Sequence, residues 1–337
     1  MLRELCGEIK AIVAQSCVEQ THGDAVLRTL GRRGFALHAE APCRACALSM
    51  QAYRAVAHCT TPAALRGSAG VELLMESAYI LDHIADGELK AHGGLSPAEE
   101  LAVGLTLMTC GFGAICEALQ QSGGQHWRLD RLRSLFDTAV NACAGQFLDA
   151  HSQTSDSLSA GEALRISVLK AGSLGRLAAE VGGALATDEL AAEVGSALAT
   201  DNQATVTLLG DFGANLFTCA QLHDDLRDAC PGPDGAGDLA ANKKTLPVVA
   251  LLGSLVESRP GALDPWAAQR VAREPTDMGS LFRASRAPAF CATVAEVFLN
   301  RARQNVKKLR ERGAEVRSLE EFLLSVVRSN DEHIGGS

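Results

Sequence analysis

The sequence predicts an all-α protein, a single helical domain over residues 1–337, and three observations carry that reading. Ala and Leu abound while aromatic residues make up only 4 %, a mix of strong helix formers with few β-branched runs. Apolar residues recur at helical spacing through nearly every segment, and no run alternates convincingly with period two. Short breakers rich in Gly, Pro and Ser divide the chain at intervals that suit roughly ten or more helices of ordinary length.

The elements follow in order. MLRELCGEIKAIVAQ reads as an amphipathic helix with charges throughout, not as a leader peptide. Ser96-Pro97-Ala98-Glu99 is a capping box with proline at the first helical position. Leu101 to Cys116 is the longest uncharged apolar stretch; it falls short of a bilayer span and holds Gly and Thr, so a buried helix and no integral membrane segment are expected. HSQTSDSLSAGE (151–162) is a polar loop whose Ser159 and Glu162 have capping-box spacing. LAAEVGGALATDE (177–189) is followed directly by LAAEVGSALATDN (190–202). Thirteen residues turn a helix far out of register, so this is a local duplication that lengthens a helix–loop connection. CPGPDGAGD (230–238) and SRPGALDP (258–265) are turns. The tail 301–333 reads as two helices, with Lys307, Lys308 and Arg310 as a solvated basic face.

Composition narrows function. With 31 basic and 40 acidic residues the net charge is −9, which argues against a general nucleic-acid-binding role. Eleven cysteines in a chain of this length are expected as reduced thiols in a cytoplasmic protein. Cys43 and Cys46 form a CxxC with no second pair at zinc-ligand spacing, so helix packing explains them. No G-x-S-x-G, Walker A or G-x-G-x-x-G signature is present.

The chemistry lies in acids. QLHDDLRDACPG (221–232) gathers Asp224, Asp225 and Asp228 just after a largely apolar stretch. Like charges so close destabilise one another unless something positive compensates them. VELLMESAYILDHIADGE (71–88) carries Asp82 and Asp86 four apart, hence on one helix face, with Met75, Ala78 and Tyr79 on or beside it. Phe217, Gln221, Asp224 and Asp228 share a face of the later helix. Two such helices packed together would make a greasy pocket with an acidic mouth. Hard oxygen ligands in that arrangement suit Mg²⁺, which prefers a few carboxylates plus substrate phosphates.

At these motifs the sequence resembles the trans-isoprenyl diphosphate synthases, across most of the chain. DDLRDACPGPDGAGDLAANKKTLPVV is similar to that family's second aspartate-rich motif, loop and lysine-bearing segment, with Asp224, Asp225, Asp228, Lys243, Thr245, Leu246 and Pro247 in order. Asp82 and Asp86 match the outer positions of its first motif, with His83 in place of the middle aspartate. The resemblance implies the class I terpenoid-synthase fold, several Mg²⁺ ions (or Mn²⁺) held by Asp82, Asp86, Asp224 and Asp228, an allylic prenyl diphosphate as substrate, and a homodimer. It implies that Lys170, Lys243 and Gln221 contact the diphosphate or the reacting centre. Ser77 and Ala78 match the positions that cap the tail cavity; both are small, which implies room for a fifteen- or twenty-carbon tail. Met75, Tyr79 and Phe217 complete the expected wall. Tyr79, Phe112 and Phe217 are candidate ring faces for a cation, each also explained by core packing.

The likeness fails at one subsite. Elongating members hold isopentenyl diphosphate with a GGKxxRP-like segment, a His or Gln before the first motif and an Arg pair after it. Here only Arg44 survives from the first; the lysine position falls near Ala41, the His/Gln position is Met75, and only Lys90 is basic after Asp86. Loss of bidentate contacts should cripple capture of a second diphosphate. The leading expectation is therefore a class I terpene synthase that ionises one allylic diphosphate. The alternatives are chain elongation of the farnesyl or geranylgeranyl type, prenyl transfer to another acceptor, and a non-catalytic subunit of a true synthase.

Overall fold

A computed structural model describes residues 2–32, 35–38, 44–57, 59–87, 95–123, 129–155, 157–194, 199–229, 237–238, 243–258 and 275–334. Among them every regular element is a helix. The chain forms α1 (Leu2–Ser16), α2 (Gln20–Leu30), α3 (Arg44–Arg54), α4 (Pro62–Ala85), α5 (Pro97–Gly123), α6 (Leu129–Thr154) and α7 (Ala160–Ser167). A π-helical turn, Val168–Gly172, leads into α8 (Ser173–Val194) and α9 (Ala199–Asp228). Then come α10 (Leu246–Ser258), α11 (Pro275–Ala284), α12 (Ala287–Glu311) and α13 (Arg317–Ile334). The all-α expectation holds.

Helix ends follow the caps expected from the residues. At α5 the Ser96 N–H donates to the Glu99 carboxylate at 2.7 Å and the Glu99 N–H returns to Ser96 Oγ at 3.3 Å. The Ser159–Glu162 box starts α7 in the same reciprocal way. The repeat behaves as a connection: copy 177–189 lies within α8, and the second copy closes α8 and opens α9. All of the turn 258–265 beyond Ser258, and nearly all of 230–238, lie outside the described residues, as do Ala41, Cys43 and Lys90. All nine described cysteines are free thiols.

The chain divides into two compact units, Met1–Ala139 with Leu174–Gly213 and Asn305–Phe322, and Val140–Ser173 with Ala214–Gln304 and Leu323–Ser337. In the first, α1 buries Leu5, Ile9, Ile12 and Val13 at helical spacing, against Val26 and Leu30 of α2, Leu73 and Ile80 of α4, and Leu107 and Ala114 of α5. Each such side chain contributes about 1.5–3 kcal/mol on burial. The two longest helices of the unit, α4 and α5, touch backbone to backbone: a Cβ on Gly70 would lie 2.7 Å from the Gly111 carbonyl, and the converse distance is also 2.7 Å. The stretch Leu101–Cys116 thus belongs to a longer helix than the sequence suggested. Residues 97–122 of α5 are long and apolar enough to cross a membrane by length and composition, and 44 % of the apolar 18-residue window within them is buried. In the second unit α10 packs on α7, and α12 buries Cys291, Ala295, Leu299 and Ala302 along one face.

Candidate functional site

In the second unit α9 ends in its acids. Asp225 is 6 % exposed, and the Gln221 side-chain amide donates to its Oδ1 at 2.7 Å from one turn earlier. Asp224 and Asp228 are less buried; the Arg227 guanidinium donates to Asp224 at 2.8 Å and lies 3.4 Å from Asp228. Two further carboxylates join them. Asp238 is buried, accepts from Thr245 Oγ1 at 3.0 Å, and its backbone carbonyl accepts the Lys243 N–H at 3.0 Å. Asp149 of α6 pairs with Lys170 Nζ at 2.8 Å.

Lys170 sits in the π-helical turn, where one extra residue per turn redirects side chains, a distortion common at functional sites. Gly145 of α6 permits it: a Cβ there would lie 2.4 Å from the Lys170 nitrogen. Candidate Lys243 and its neighbour Lys244 part company. Lys244 is buried and donates to the Ser155 carbonyl, while the charge of Lys243 acts on Asp228 and Asp238.

The electrostatics expose a deficit. Five carboxylates (149, 224, 225, 228, 238) neighbour three cationic side chains (Lys170, Arg227, Lys243) among the described residues. Burial, then the charges of Asp238, Asp224 and Asp149, push Asp225 up to about 8 against the relief from Gln221. Burial raises Asp238 to about 6, partly offset by Thr245 and Lys243. It raises Asp228 as well. Folded, metal-free protein therefore keeps the Asp225 proton up to about pH 8, whereas the unfolded chain releases it near pH 3.9. The folded state binds more protons across that window, so the stability from this group is full below about pH 4 and is lost as pH rises toward 8. Asp225→Asn is expected to gain in urea midpoint relative to the parent as pH goes from 5 to 8 in chelator. Midpoints that track each other at every pH would contradict the assignment.

The first unit holds the other acid pair. Asp82 and Asp86 are half-buried in the closing turn of α4, where the Asp86 N–H donates to the Asp82 carbonyl at 2.9 Å and Gly87 ends the helix at φ +68°. Tyr79 is 46 % exposed and lies edge-on to Phe35 at 5.3 Å and His83 at 4.0 Å. Ser77 is buried with no hydrogen-bond partner for its Oγ among the described residues, while Met75 and Ala78 are half-buried. Phe112, one of the ring candidates, lies tilted against exposed Phe136 with ring centroids 4.9 Å apart. Phe217 is half-buried in α9, and Arg44 opens α3.

Both acid groups sit at helix C-termini, the negative pole of the helix dipole. A carboxylate there is disfavoured by about 0.3–1 kcal/mol at an exposed site. Each group by itself offers hard carboxylate oxygens, the ligand type that a divalent cation such as Mg²⁺ prefers. Among the described residues no three His, Cys, Asp or Glu side chains already converge on one ion-holding point.

Two buried glutamates of α4 hold backbone N–H groups that lie close to Arg44 in sequence. Buried Glu76 accepts the Ala36 N–H at 2.6 Å and buried Glu72 accepts the Cys46 N–H at 2.8 Å, so α4 grips both flanks of residues 39–43 with carboxylates. Burial raises the Glu72 carboxyl, against hydrogen bonds from Cys46 and Ala45. Elsewhere in the first unit a cleft of about 280 Å³ is lined by Arg131, Ser134, Leu135, Glu180, Gln203 and Val206, none of them a sequence candidate.

No family sequence model matches the chain, and no curated protein matches it in sequence. Solved structures do, over nearly its whole length. The chain is similar to a geranylgeranyl pyrophosphate synthetase from Pyrococcus horikoshii (16 % identity, 99 % of this chain and 96 % of that one, TM-score 0.71). It is similar to a decaprenyl diphosphate synthase from Rhodobacter capsulatus (16 %, 99 % and 96 %, 0.72). A polyprenyl synthase from Caulobacter crescentus, complexed with calcium and isoprenyl diphosphate, matches at 19 %, 96 % and 93 %, with a TM-score of 0.71. At these identities the likeness defines the fold, which is that of the polyprenyl and geranylgeranyl diphosphate synthases.

Proposed function

We propose that the protein ionises an allylic prenyl diphosphate with the help of divalent cations, and that it is a terpene synthase built on this fold. The observation that carries the reading is the unmet negative charge at the end of α9, where Asp225 and Asp238 hold protons far above the usual carboxylate range. Retention of five motif carboxylates serves no non-catalytic subunit, because their mutual repulsion costs stability.

Asp224 and Asp228, with Asp82 and Asp86, would hold the cations, and Gln221 fixes the orientation of Asp225. Magnesium, with manganese as a substitute, would neutralise charge that develops on the departing diphosphate. Lys170 and Lys243 bind the same anion as point charges. Asp149 restrains the Lys170 side chain, so less of its rotamer freedom is lost on binding. Small Ser77 and Ala78 leave space for a fifteen- or twenty-carbon tail. Apolar stripes on α5 and α6 leave Leu101, Leu105 and Phe136 exposed, the kind of surface on which two copies would pair as a homodimer.

The second reading is chain elongation with isopentenyl diphosphate, which the naming of the similar structures as synthases favours. The residue pattern of that subsite speaks against it, with Met75 in the His/Gln position and Arg44 alone surviving from the first segment. Incubation with Mg²⁺ and farnesyl or geranylgeranyl diphosphate, with and without isopentenyl diphosphate, separates the two. A hydrocarbon or alcohol from the single substrate is expected. Products longer by five carbons, formed only with both substrates, would overturn the terpene synthase reading and leave the elongation reading standing.

A further inference from the structure

The cleft of the first unit takes no part in the proposed chemistry, yet it is built from fixed charges. Arg131, Ser134 and Leu135 of α6 face Glu180 of α8 and Gln203 and Val206 of α9 across about 280 Å³. The Arg131 guanidinium donates to the Ala184 carbonyl and to Thr187 Oγ1, each at 3.0 Å, and pairs with Asp188 at 2.6 Å. Only 12 % of its side chain is exposed. Glu180 is 8 % exposed and pairs with Arg176 at 3.1 Å, a cation it shares with Asp211. Gly210 of α9 makes room for this carboxylate, since a Cβ there would lie 2.6 Å from Glu180 Oε1. Burial raises the Glu180 carboxyl in spite of Arg176.

The spacing of the two charges follows from α8. Glu180 stands four residues before Ala184, the residue that Arg131 grips, which is about 6 Å of helix. An acid and a base are thus fixed a helical turn or more apart on the wall of one cleft. The exposed Ser134 hydroxyl and Gln203 amide add groups that both donate and accept, and buried Leu135 and Val206 add an apolar wall.

We propose that this cleft binds a small zwitterion of the amino-acid type with an apolar side chain. Its carboxylate meets Arg131, its ammonium meets Glu180, and its side chain lies against Leu135 and Val206. Volume sets the size: with each water taking about 30 Å³, the cleft has room for about nine heavy atoms. A neutral lipid fits badly, because both protein charges would lose water without gaining a partner. A diphosphate fits badly because Glu180 repels it.

Isothermal titration of the full chain with three probes of matched size tests the assignment. They are L-leucine, 4-methylpentanoate, which lacks the amine, and 3-methylbutylamine, which lacks the carboxylate. Leucine should bind at least about tenfold more tightly than either, the scale of one hydrogen bond to a charged group. Glu180→Gln keeps the shape and removes the charge. In that variant leucine should weaken at least about tenfold, while 4-methylpentanoate should bind as it does to the parent. Gln203→Ala, at an exposed position that folding does not depend on, should weaken leucine several-fold. No heat from leucine at millimolar concentration, equal binding of all three probes, or unchanged leucine binding in both variants would overturn the proposal. The titration needs neither metal nor prenyl substrate, so its outcome is independent of the proposed reaction.

Discussion

An Asp224→Ala protein is expected to turn over an allylic diphosphate at least ~10²-fold more slowly than the parent, the scale on which loss of one preorganised electrostatic group is felt. The fold should survive the change. Asp224 and its partner Arg227 are 35 % and 40 % exposed, and such pairs contribute under about 1 kcal/mol to stability. Circular dichroism and thermal midpoint should therefore move little while kcat collapses. Asp82→Ala, at the end of α4, should fall to a similar level. The double variant should be no worse than the poorer single one, because groups that act on one leaving anion are not additive. Full turnover in either single variant would remove the metal assignment.

The second large effect joins fold to chemistry at Gly145. Its missing Cβ would meet the Lys170 nitrogen at 2.4 Å and the Leu169 carbonyl carbon at 2.7 Å, both backbone atoms that cannot swing aside. Gly145→Ala should destabilise the protein by about 1–3 kcal/mol, the usual cost of overpacking. It should also displace Lys170 from Asp149, so activity measured well below the melting midpoint drops at least tenfold. Gly113→Ala is the control: nothing lies within 4 Å of a Cβ there, and the substitution should be neutral or stabilising by up to about 1 kcal/mol. Urea midpoints and kcat of the two variants settle the comparison; equal behaviour would show that the contact at Gly145 carries no strain.

Much of this was legible in the residues because helices obey local rules. Apolar spacing in α1, and the capping boxes before α5 and α7, announce themselves within a few positions. Gln221, Asp224 and Asp228 share a face by period alone, and the structure adds the hydrogen bond that period implies, from Gln221 to neighbouring Asp225. What local pattern does not encode is long-range. Asp149 stands in AGQFLDA with nothing nearby to mark it, and its role rests on Lys170, 21 positions on. Asp238 was hidden in a Pro/Gly-rich stretch read only as a turn. The π-helical turn lies against Gly145 of a distant helix, a contact that no propensity reports. Likewise Glu76 looks like any helix glutamate until Ala36 is found against it. The C-terminal placement of both acid groups needed the helix ends themselves, which Gly87 and the close of α9 supply.

The proposed function requires this chain to ionise an allylic diphosphate with metal and without a second substrate. Release of inorganic diphosphate from farnesyl or geranylgeranyl diphosphate alone tests it most directly, followed with Mg²⁺ present and again after chelation. The account predicts steady release that stops with chelator and is lost in Asp224→Ala. No release from either substrate with saturating Mg²⁺, or release indifferent to chelator, would contradict it.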